Sequence, residues 1–358
     1  MPQAKELTGR RAAVDWLDFA PVHALQNALR DLDEAFSRFF KGIAGYPKPR
    51  KKFKNDSFTL PGEDVEFRRL NKNHGAIKLP KIGEVRFRGY RPLGGKLRSV
   101  TFRRKAGKWH VSVAWDKEIP DPPKAVAKPV GIDRGVAVWA ALANAEGTVR
   151  ELVQPVNAGM AIIDKRAKLQ RKLARKQKFS SNWRKVKQKI ARLDNTAANV
   201  RRDFVHKRTT EWSKSHAHTR MEKLRVRNMS ASAAGTAETP GNNVAQKSGL
   251  NRSILDQGWG MADQFMRYKQ AERGHIHDHA PAPYTSLRCL KPNCGHCSPN
   301  NRPTRDLFRC EVCGFEEHAD IVGAINVSQA RALAVEPPKR IRRRVGKRKP
   351  VEGIKHAA

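Results

Sequence analysis

The apolar positions fall into distinct spacings along the 358-residue chain. From Val22 onward Leu25, Leu29, Leu32, Phe36, Phe39 and Phe40 stand mostly three or four apart. With Leu17 they predict an amphipathic helix within residues 13–43, ending near Gly42. Residues 57–118 alternate instead. Val100 and Phe102 lead into a Lys105-Ala-Gly107 turn, and Trp109, Val111, Val113 and Trp115 follow on one face, which predicts a small antiparallel β unit. Prolines at 120, 122, 123 and 129 mark a linker. Beyond it, residues 130–135, 136–144 and 147–153 read as three short strands in a meander. Residues 160–213 read as two long helices, in which Val186, Ile190, Leu193, Ala197, Val200 and Phe204 step by four and three. Ser, Ala, Gly and Asn dominate residues 228–250, predicting a mobile loop, and residues 251–269 again look helical. The basic, Pro-interrupted stretch 337–356 predicts a disordered tail, and no internal repeat is present.

Charge narrows the possibilities sharply. Lys and Arg total 72 against 34 acids, a formal charge of +38 spread along the whole chain. That excludes an ordinary acidic or neutral metabolic enzyme and makes a polyanion the expected partner. Hydrophobic content of 39% and aromatic content of 7% exclude a wholly disordered basic protein. The apolar run at 136–143 is too short to span a bilayer, and Met1 is not followed by a signal segment, so no membrane role is expected. Residues 165–208 hold seventeen Lys or Arg against two Asp. They form either a solvated charged face or a nucleic-acid surface, and the net charge favours the latter.

All five cysteines lie between 289 and 313, a cluster that fits a metal site in a reducing compartment rather than a disulfide framework. Cys289-x4-Cys294-Gly is followed by Cys310-x2-Cys313-Gly, and two such cysteine turns facing each other supply the tetrahedron of soft ligands that Zn²⁺ prefers. Glycine after each second cysteine suits the tight turn. This favours Cys289, Cys294, Cys310 and Cys313 as ligands with Cys297 spare, against an alternative in which Cys294 and Cys297 form the x2 pair. His296 and His318 could substitute. Whether the ribbon only staples the fold or also touches nucleic acid is open at this level.

Three carboxylates stand at the ends of candidate elements: Asp133 before Arg134-Gly135, Glu222, and Asp320 ahead of an apolar helix. A phosphodiesterase working through two divalent ions needs such acids to converge. By spacing alone nothing brings these three together, and an Asp-x-Gly is more often only a turn.

Longer motifs carry more. Gly131-Ile-Asp-Arg-Gly135, Arg202-Asp-Phe204, Glu222-x-Leu224, Lys247-Ser-Gly-Leu-Asn-Arg-Ser-Ile-Leu-Asp-Gln-Gly-Trp259, Tyr284-Thr-Ser286, Asn301-Arg-Pro303, Phe308-x-Cys310-x-x-Cys313-Gly314 and His318-Ala-Asp320 through Ala324-Ile-Asn326 occur in this order. Together they resemble the TnpB (OrfB) proteins of bacterial insertion sequences, over about residues 15–335. The resemblance implies an α/β fold: a RuvC-like, RNase H-type nuclease domain with an inserted zinc ribbon, preceded by a small helical segment and an antiparallel, wedge-like β unit. It implies a transposon-associated RNA-guided DNA endonuclease that hydrolyses phosphodiester bonds with divalent ions and acts in transposition and recombination. Asp133, Glu222 and Asp320 would be the catalytic acids holding Mg²⁺, with structural Zn²⁺ in the ribbon. The implied partners are DNA and a guide RNA from the transposon end, and the implied location is the bacterial cytoplasm, at the nucleoid.

The implied boundaries are 1–45 for a partial helical recognition region, 46–128 for the wedge-like unit and 129–284 for the nuclease with its basic hairpin. The ribbon would occupy 285–316, the last nuclease segment 317–335 and the basic tail 336–358. Several positions depart from the family pattern. The chain begins inside the family's opening region, which implies truncation ahead of the first strand. His216-Ala-His-Thr-Arg220 is polar where a buried parallel strand should be apolar. Lys223 replaces a second acid, Val322-Gly-Ala324 replaces the usual residues after the last acid, and Cys289 and Cys294 are two residues further apart than usual. The alternative function is therefore a truncated, non-cleaving RNA- or DNA-binding relative, a regulator or a remnant.

Overall fold

The computed structural model describes residues 2–50, 56–89, 95–116, 118, 122–123, 126–156, 160–236 and 238–330. The basic tail expected at 336–358 lies outside the described residues. Contacts divide the chain at Ile119/Pro120 into two units.

The first unit opens with helices α1 (Pro2–Ala13), α2 (Asp15–Asp18) and α3 (Val22–Phe40). The three-to-four spacing places α3 where the sequence predicts it, and Gly42 ends it with φ +65°. Six strands follow: β1 (Ser57–Pro61), β2 (Glu66–Arg69), β3 (His74–Leu79), β4 (Gly83–Arg88), β5 (Lys96–Lys105) and β6 (Lys108–Asp116). They form two antiparallel three-stranded sheets, β1-β5-β6 and β2-β3-β4, around Leu60, Ile77, Leu79, Val100 and Phe102. Ala106 and Gly107 both have positive φ, as a two-residue hairpin turn requires. Asn27 Nδ2 donates to the Thr59 carbonyl at 3.0 Å and ties α3 to β1.

The second unit is built on a five-stranded mixed sheet. Its strands are β7 (Val130–Asp133), β8 (Ala140–Ala143), β9 (Arg150–Val153), β10 (His218–Glu222) and β11 (Ile276–Ala280), in the order β11-β10-β7-β8-β9. The first three in that order run parallel, and β8 and β9 return antiparallel. Parallel neighbours need long crossovers. Helices α4 (Met160–Ala174) and α5 (Ser181–Ser215) lie between β9 and β10 in sequence. Helices α6 (Val226–Met229), α7 (Val244–Gln257) and α8 (Trp259–Ala271) lie between β10 and β11.

One face of the sheet packs on α5 and α8 through Ile132, Leu142, Met221, Val205, Trp212 and Met266. Burial of each such side chain contributes about 1.5–3 kcal/mol. Trp139 stacks on Trp212 with ring centroids 5.4 Å apart and donates its indole N–H to the Gln257 carbonyl at 2.9 Å. The opposite face receives α9 (Ala319–Gln329), which follows the ribbon hairpin β12 (Leu307–Arg309) and β13 (Glu316–His318). A Cβ at Gly131 would overlap the Ala324 carbonyl, so only glycine lets α9 lie this close to β7.

Two local expectations need correction. The loop predicted over 228–250 is interrupted, because α7 starts at Val244 rather than at 251. Lys247 Nζ and Asn251 Nδ2 donate to the carbonyls of Met229 and Ala231, at 2.5 and 2.9 Å, and fasten the preceding segment to this helix. Only Ala140–Ala143 of residues 136–144 is strand. The polar β10 is buried throughout, as a central strand must be. Its side chains find partners instead of water: Arg220 grips Asp278 with two bonds of 2.6 and 2.7 Å, and His218 Nε2 reaches the same carboxylate at 3.0 Å. Burial pushes the Asp278 carboxyl up, but Arg220 and His218 outweigh it and hold the group well below the usual carboxylate range.

Candidate functional site

The carboxylates at 133 and 222 end neighbouring parallel strands. The register pairs Ile132 with Met221, and one residue further along it places Asp133 beside Glu222. Because side chains alternate, both acids leave the sheet on the α9 face, opposite Ile132 and Met221. Asp320 enters from the first turn of α9, where His318 caps the helix by accepting the Asp320 N–H at 3.2 Å. A Cβ at Gly323, one turn further, would overlap Asp133 Oδ2, so glycine leaves room for that carboxylate.

Asp133 feels the other two acids. Burial and the nearby Glu222 and Asp320 charges push the Asp133 carboxyl up to about 8, against the opposing pull of Arg302 and Arg134. Burial also raises Glu222, while the Thr285 hydroxyl, which donates to Glu222 Oε1, and Arg134 pull it back. Arg134 is buried and donates to the carbonyls of Glu222 and Trp259, bracing the ends of β10 and α8. Arg302, from the loop before β12, reaches Asp320 Oδ1 with Nη2 at 3.2 Å and is anchored on the Arg305 carbonyl. Asn326 Nδ2 donates to the carbonyls of Thr285 and Arg288, both at 2.8 Å, holding the Thr285 segment over Glu222. Thr285, Arg302 and Asn326 fall inside motifs visible in the sequence. Nothing in their spacing indicates that they hold acids from other segments.

Crowded carboxylates have a measurable cost in the absence of a cation. Between about pH 4 and 8 an unfolded chain releases the Asp133 proton while the folded chain retains it, so folding stability falls as pH rises through that window. Asp133→Asn removes the cost. Without divalent ions the variant should melt on the order of 5 °C above the parent at pH 8, with no difference at pH 4. Thermal melts followed by circular dichroism at both pH values check this. An equal or lower melting point for the variant at pH 8 would contradict a carboxyl raised by burial and by its acidic neighbours.

The ribbon brings the other candidates together. The Sγ atoms of Cys289, Cys294, Cys310 and Cys313 all lie within 4.8 Å of one another. Cys289 and Cys313 are 3.6 Å apart, as are Cys294 and Cys310, far beyond a disulfide bond. A tetrahedron with metal–sulfur bonds of about 2.3 Å has edges near 3.8 Å, so these spacings fit a bound metal. Burial pushes the Cys289 thiol up to about 12. At Cys310 burial acts in the same direction, but the N–H groups of Cys313 and Val312 overcome it and bring the thiol down to about 6. Cys297 is exposed and outside the group, His296 pairs with Glu311 at 2.8 Å, and His318 serves as the α9 cap. Asn301, fully buried, links the two cysteine turns. It donates to the Leu287 and His296 carbonyls at 2.9 and 3.2 Å and accepts the Glu311 N–H at 3.0 Å.

Helices α4 and α5 form a basic hairpin, joined by an Arg166–Asp194 ion pair of 2.6 Å. Lys165, Lys168, Lys189 and Arg192 line a groove floored by Leu169 and Leu193. Among the described residues no helix is long and apolar enough to cross a membrane.

Residues 110–233 match the IS605 OrfB family, described as "Probable transposase", and residues 259–327 match the Cas12f1-like TNB domain. The chain is 44% identical over 315 residues to InsQ of Escherichia coli (strain K12), a protein provisionally named an RNA-guided DNA endonuclease. That match covers 88% of this chain and 76% of InsQ. A Streptomyces pristinaespiralis protein of the same provisional name is 30% identical over 70% of this chain and 57% of its own length. The fold resembles Cas12f1 as solved in complex with a single guide RNA and target DNA, with a TM-score of 0.57 at 14% identity. The likeness covers 87% of this chain and 72% of that one.

Proposed function

The chain belongs to the IS605 OrfB (TnpB) family, and from that membership and the site geometry we propose that it is an RNA-guided DNA endonuclease of a transposable element, hydrolysing phosphodiester bonds with divalent ions held by Asp133, Glu222 and Asp320. The observation that carries the proposal is that Asp133 and Glu222 end neighbouring strands β7 and β10 while Asp320 opens α9 packed on that sheet face, near enough that burial together with the Glu222 and Asp320 charges raises Asp133. Parallel strands ending in acids, covered by a helix bearing the third, support a RuvC-like, RNase H-type reading of the second unit.

The donor set suits Mg²⁺, a hard cation that prefers carboxylate oxygens. Bound ions would activate the attacking water and stabilise the leaving oxygen. The protein's own task is positioning. Thr285 fixes one oxygen of Glu222, and Gly323 leaves space beside Asp133. Arg302 supplies positive charge at Asp320, where a scissile phosphate would also be attracted. The four thiolates, soft and tetrahedrally spaced, suit structural Zn²⁺, which would tie the ribbon to the start of α9.

The guide RNA, from the transposon end, would supply sequence recognition by base pairing, while the protein holds the heteroduplex by its backbone. The α4–α5 groove fits that backbone role. A Lys165→Ala, Lys189→Ala, Arg192→Ala triple variant should bind an RNA–DNA heteroduplex more weakly, with the slope of log affinity against log salt shallower by about 2–3. An unchanged slope in filter-binding titrations would place the duplex elsewhere.

The deciding experiment is plasmid cleavage by protein co-expressed with RNA from its own flanking DNA, with and without Mg²⁺. Cutting of the matched target only when Mg²⁺ is present is expected. RNA binding without cutting would overturn the nuclease reading and leave a guide-binding protein.

A further inference from the structure

On the sheet face turned away from the three acids, His277 and His279 of β11 share a side with Thr219 and Met221 of β10. Their Nε2 atoms converge on one oxygen of Asp263, a helix α8 residue: His279 Nε2 is 2.5 Å and His277 Nε2 3.2 Å from Asp263 Oδ1. The three donor atoms lie within 4.8 Å of one another, and they come from elements separated in sequence. We propose that Asp263, His277 and His279 form a second transition-metal site, taking a borderline divalent ion of the zinc class.

The chemistry of the donors selects that class. Two imidazoles and one carboxylate suit zinc and its first-row neighbours, whereas Mg²⁺ and Ca²⁺ prefer oxygen alone. Metal-ligating histidines usually donate their second ring nitrogen to a fixed acceptor. Here Thr219 Oγ1 lies 3.0 Å from His277 Nδ1 and is itself held by Gln270 Nε2 at 3.1 Å. Donation from Nδ1 to that hydroxyl is the tautomer that frees Nε2 for a metal. In a tetrahedral site with bonds of about 2.0–2.1 Å, ligand atoms stand about 3.3 Å apart. His277 already meets that spacing, and His279 meets it by withdrawing less than an ångström. The charge of Arg134 reaches Asp263 and His277, but neither neighbouring guanidinium donates to Asp263 Oδ1, the oxygen on which the two imidazoles converge. Arg134 donates to the Glu222 and Trp259 carbonyls, and Arg267 pairs at 3.2 Å with the other Asp263 oxygen, Oδ2. His277 is almost fully buried, while His279 and Asp263 are about a quarter and a fifth exposed, so an ion can enter from one side. Three protein donors leave a fourth position for water.

The test is metal content of the whole folded protein after dialysis against zinc in excess Mg²⁺, by inductively coupled plasma mass spectrometry. The parent should hold about two zinc ions per chain, one in the proposed cysteine site and one here. His279→Gln and Asp263→Asn should each lower this to about one. Cobalt titration separates the two sites. The cysteine site should give intense thiolate charge-transfer absorption in the near ultraviolet, and the second equivalent should add only weak visible bands that both variants lose. A parent in which no metal equivalent binds without thiolate absorption would overturn the site. So would a second equivalent that persists in both variants, which would then sit elsewhere, such as the three-acid locus. Should either variant misfold, the parent's cobalt titration still decides.

Discussion

Asp133→Ala is expected to abolish target cleavage, lowering the rate by about three orders of magnitude or more, with RNA and DNA binding changed by about twofold at most. The asymmetry follows from where the carboxylate sits. It ends β7 among two other acids, close to the backbone of α9, and in the proposed mechanism it holds ions rather than the duplex. Losing a shared ligand forfeits several kcal/mol of transition-state charge stabilisation, and about 4 kcal/mol is roughly a thousandfold in rate. Affinity for nucleic acid comes instead from a chain of net charge +38, and removing one carboxyl group leaves that field nearly unchanged. Parent and variant loaded with the same RNA, assayed side by side on a matched plasmid and by gel shift, decide the matter. Cleavage by the variant at the parental rate would show that Asp133 is not a catalytic ligand.

Cys310→Ser is expected to release about one zinc per chain and to unfold the ribbon. A structural zinc site supplies on the order of 10–16 kcal/mol of folding free energy. The ribbon has little to replace it, since its core is Phe308 with two of the cysteines themselves, Cys289 and Cys310, packed on Ala319 and Val322. Those last two residues belong to α9 beside Asp320, so the damage should reach the acid site and reduce cleavage as well. Zinc analysis and limited proteolysis mapped to residues 285–316 provide the measurement. Undiminished zinc together with a protease-resistant ribbon would contradict the ligand assignment.

How much of this was legible in the chain varied with the kind of signal. Regular spacing predicted well. The three-to-four pattern from Val22 gave α3, and alternation through Val100, Phe102, Val111 and Val113 gave the β5–β6 hairpin, because one half-buried apolar face writes its period directly into the sequence. The strand β10 defied its polar composition for a physical reason: His218, Arg220 and Thr219 are satisfied by Asp278, His277 and Gln270, all distant in sequence. No window around residue 218 contains those partners. Helix α7 was hidden likewise, as its start at Val244 is held by bonds to the preceding loop rather than by an apolar stripe. At the site, each acid was visible as a strand-end or helix-start residue, but their meeting depended on the parallel register and on Gly131 admitting α9. The His277-x-His279 spacing puts both rings on one strand face, a readable hint. Asp263, on another element, was not readable as their partner.

The close seat of α9 on β7 also bears on the order of synthesis. Asp133 and Glu222 leave the ribosome long before residues 319–329, and α9 docks only after the ribbon between them has been made. A nascent chain that has completed β7, β10 and β11 therefore carries two of the three acids and an uncovered sheet face. The third acid arrives with α9, the last described helix. If the proposed cutting centre is assembled in this order, copies terminated before Asp320 would carry only two of its acids and would be unable to cut.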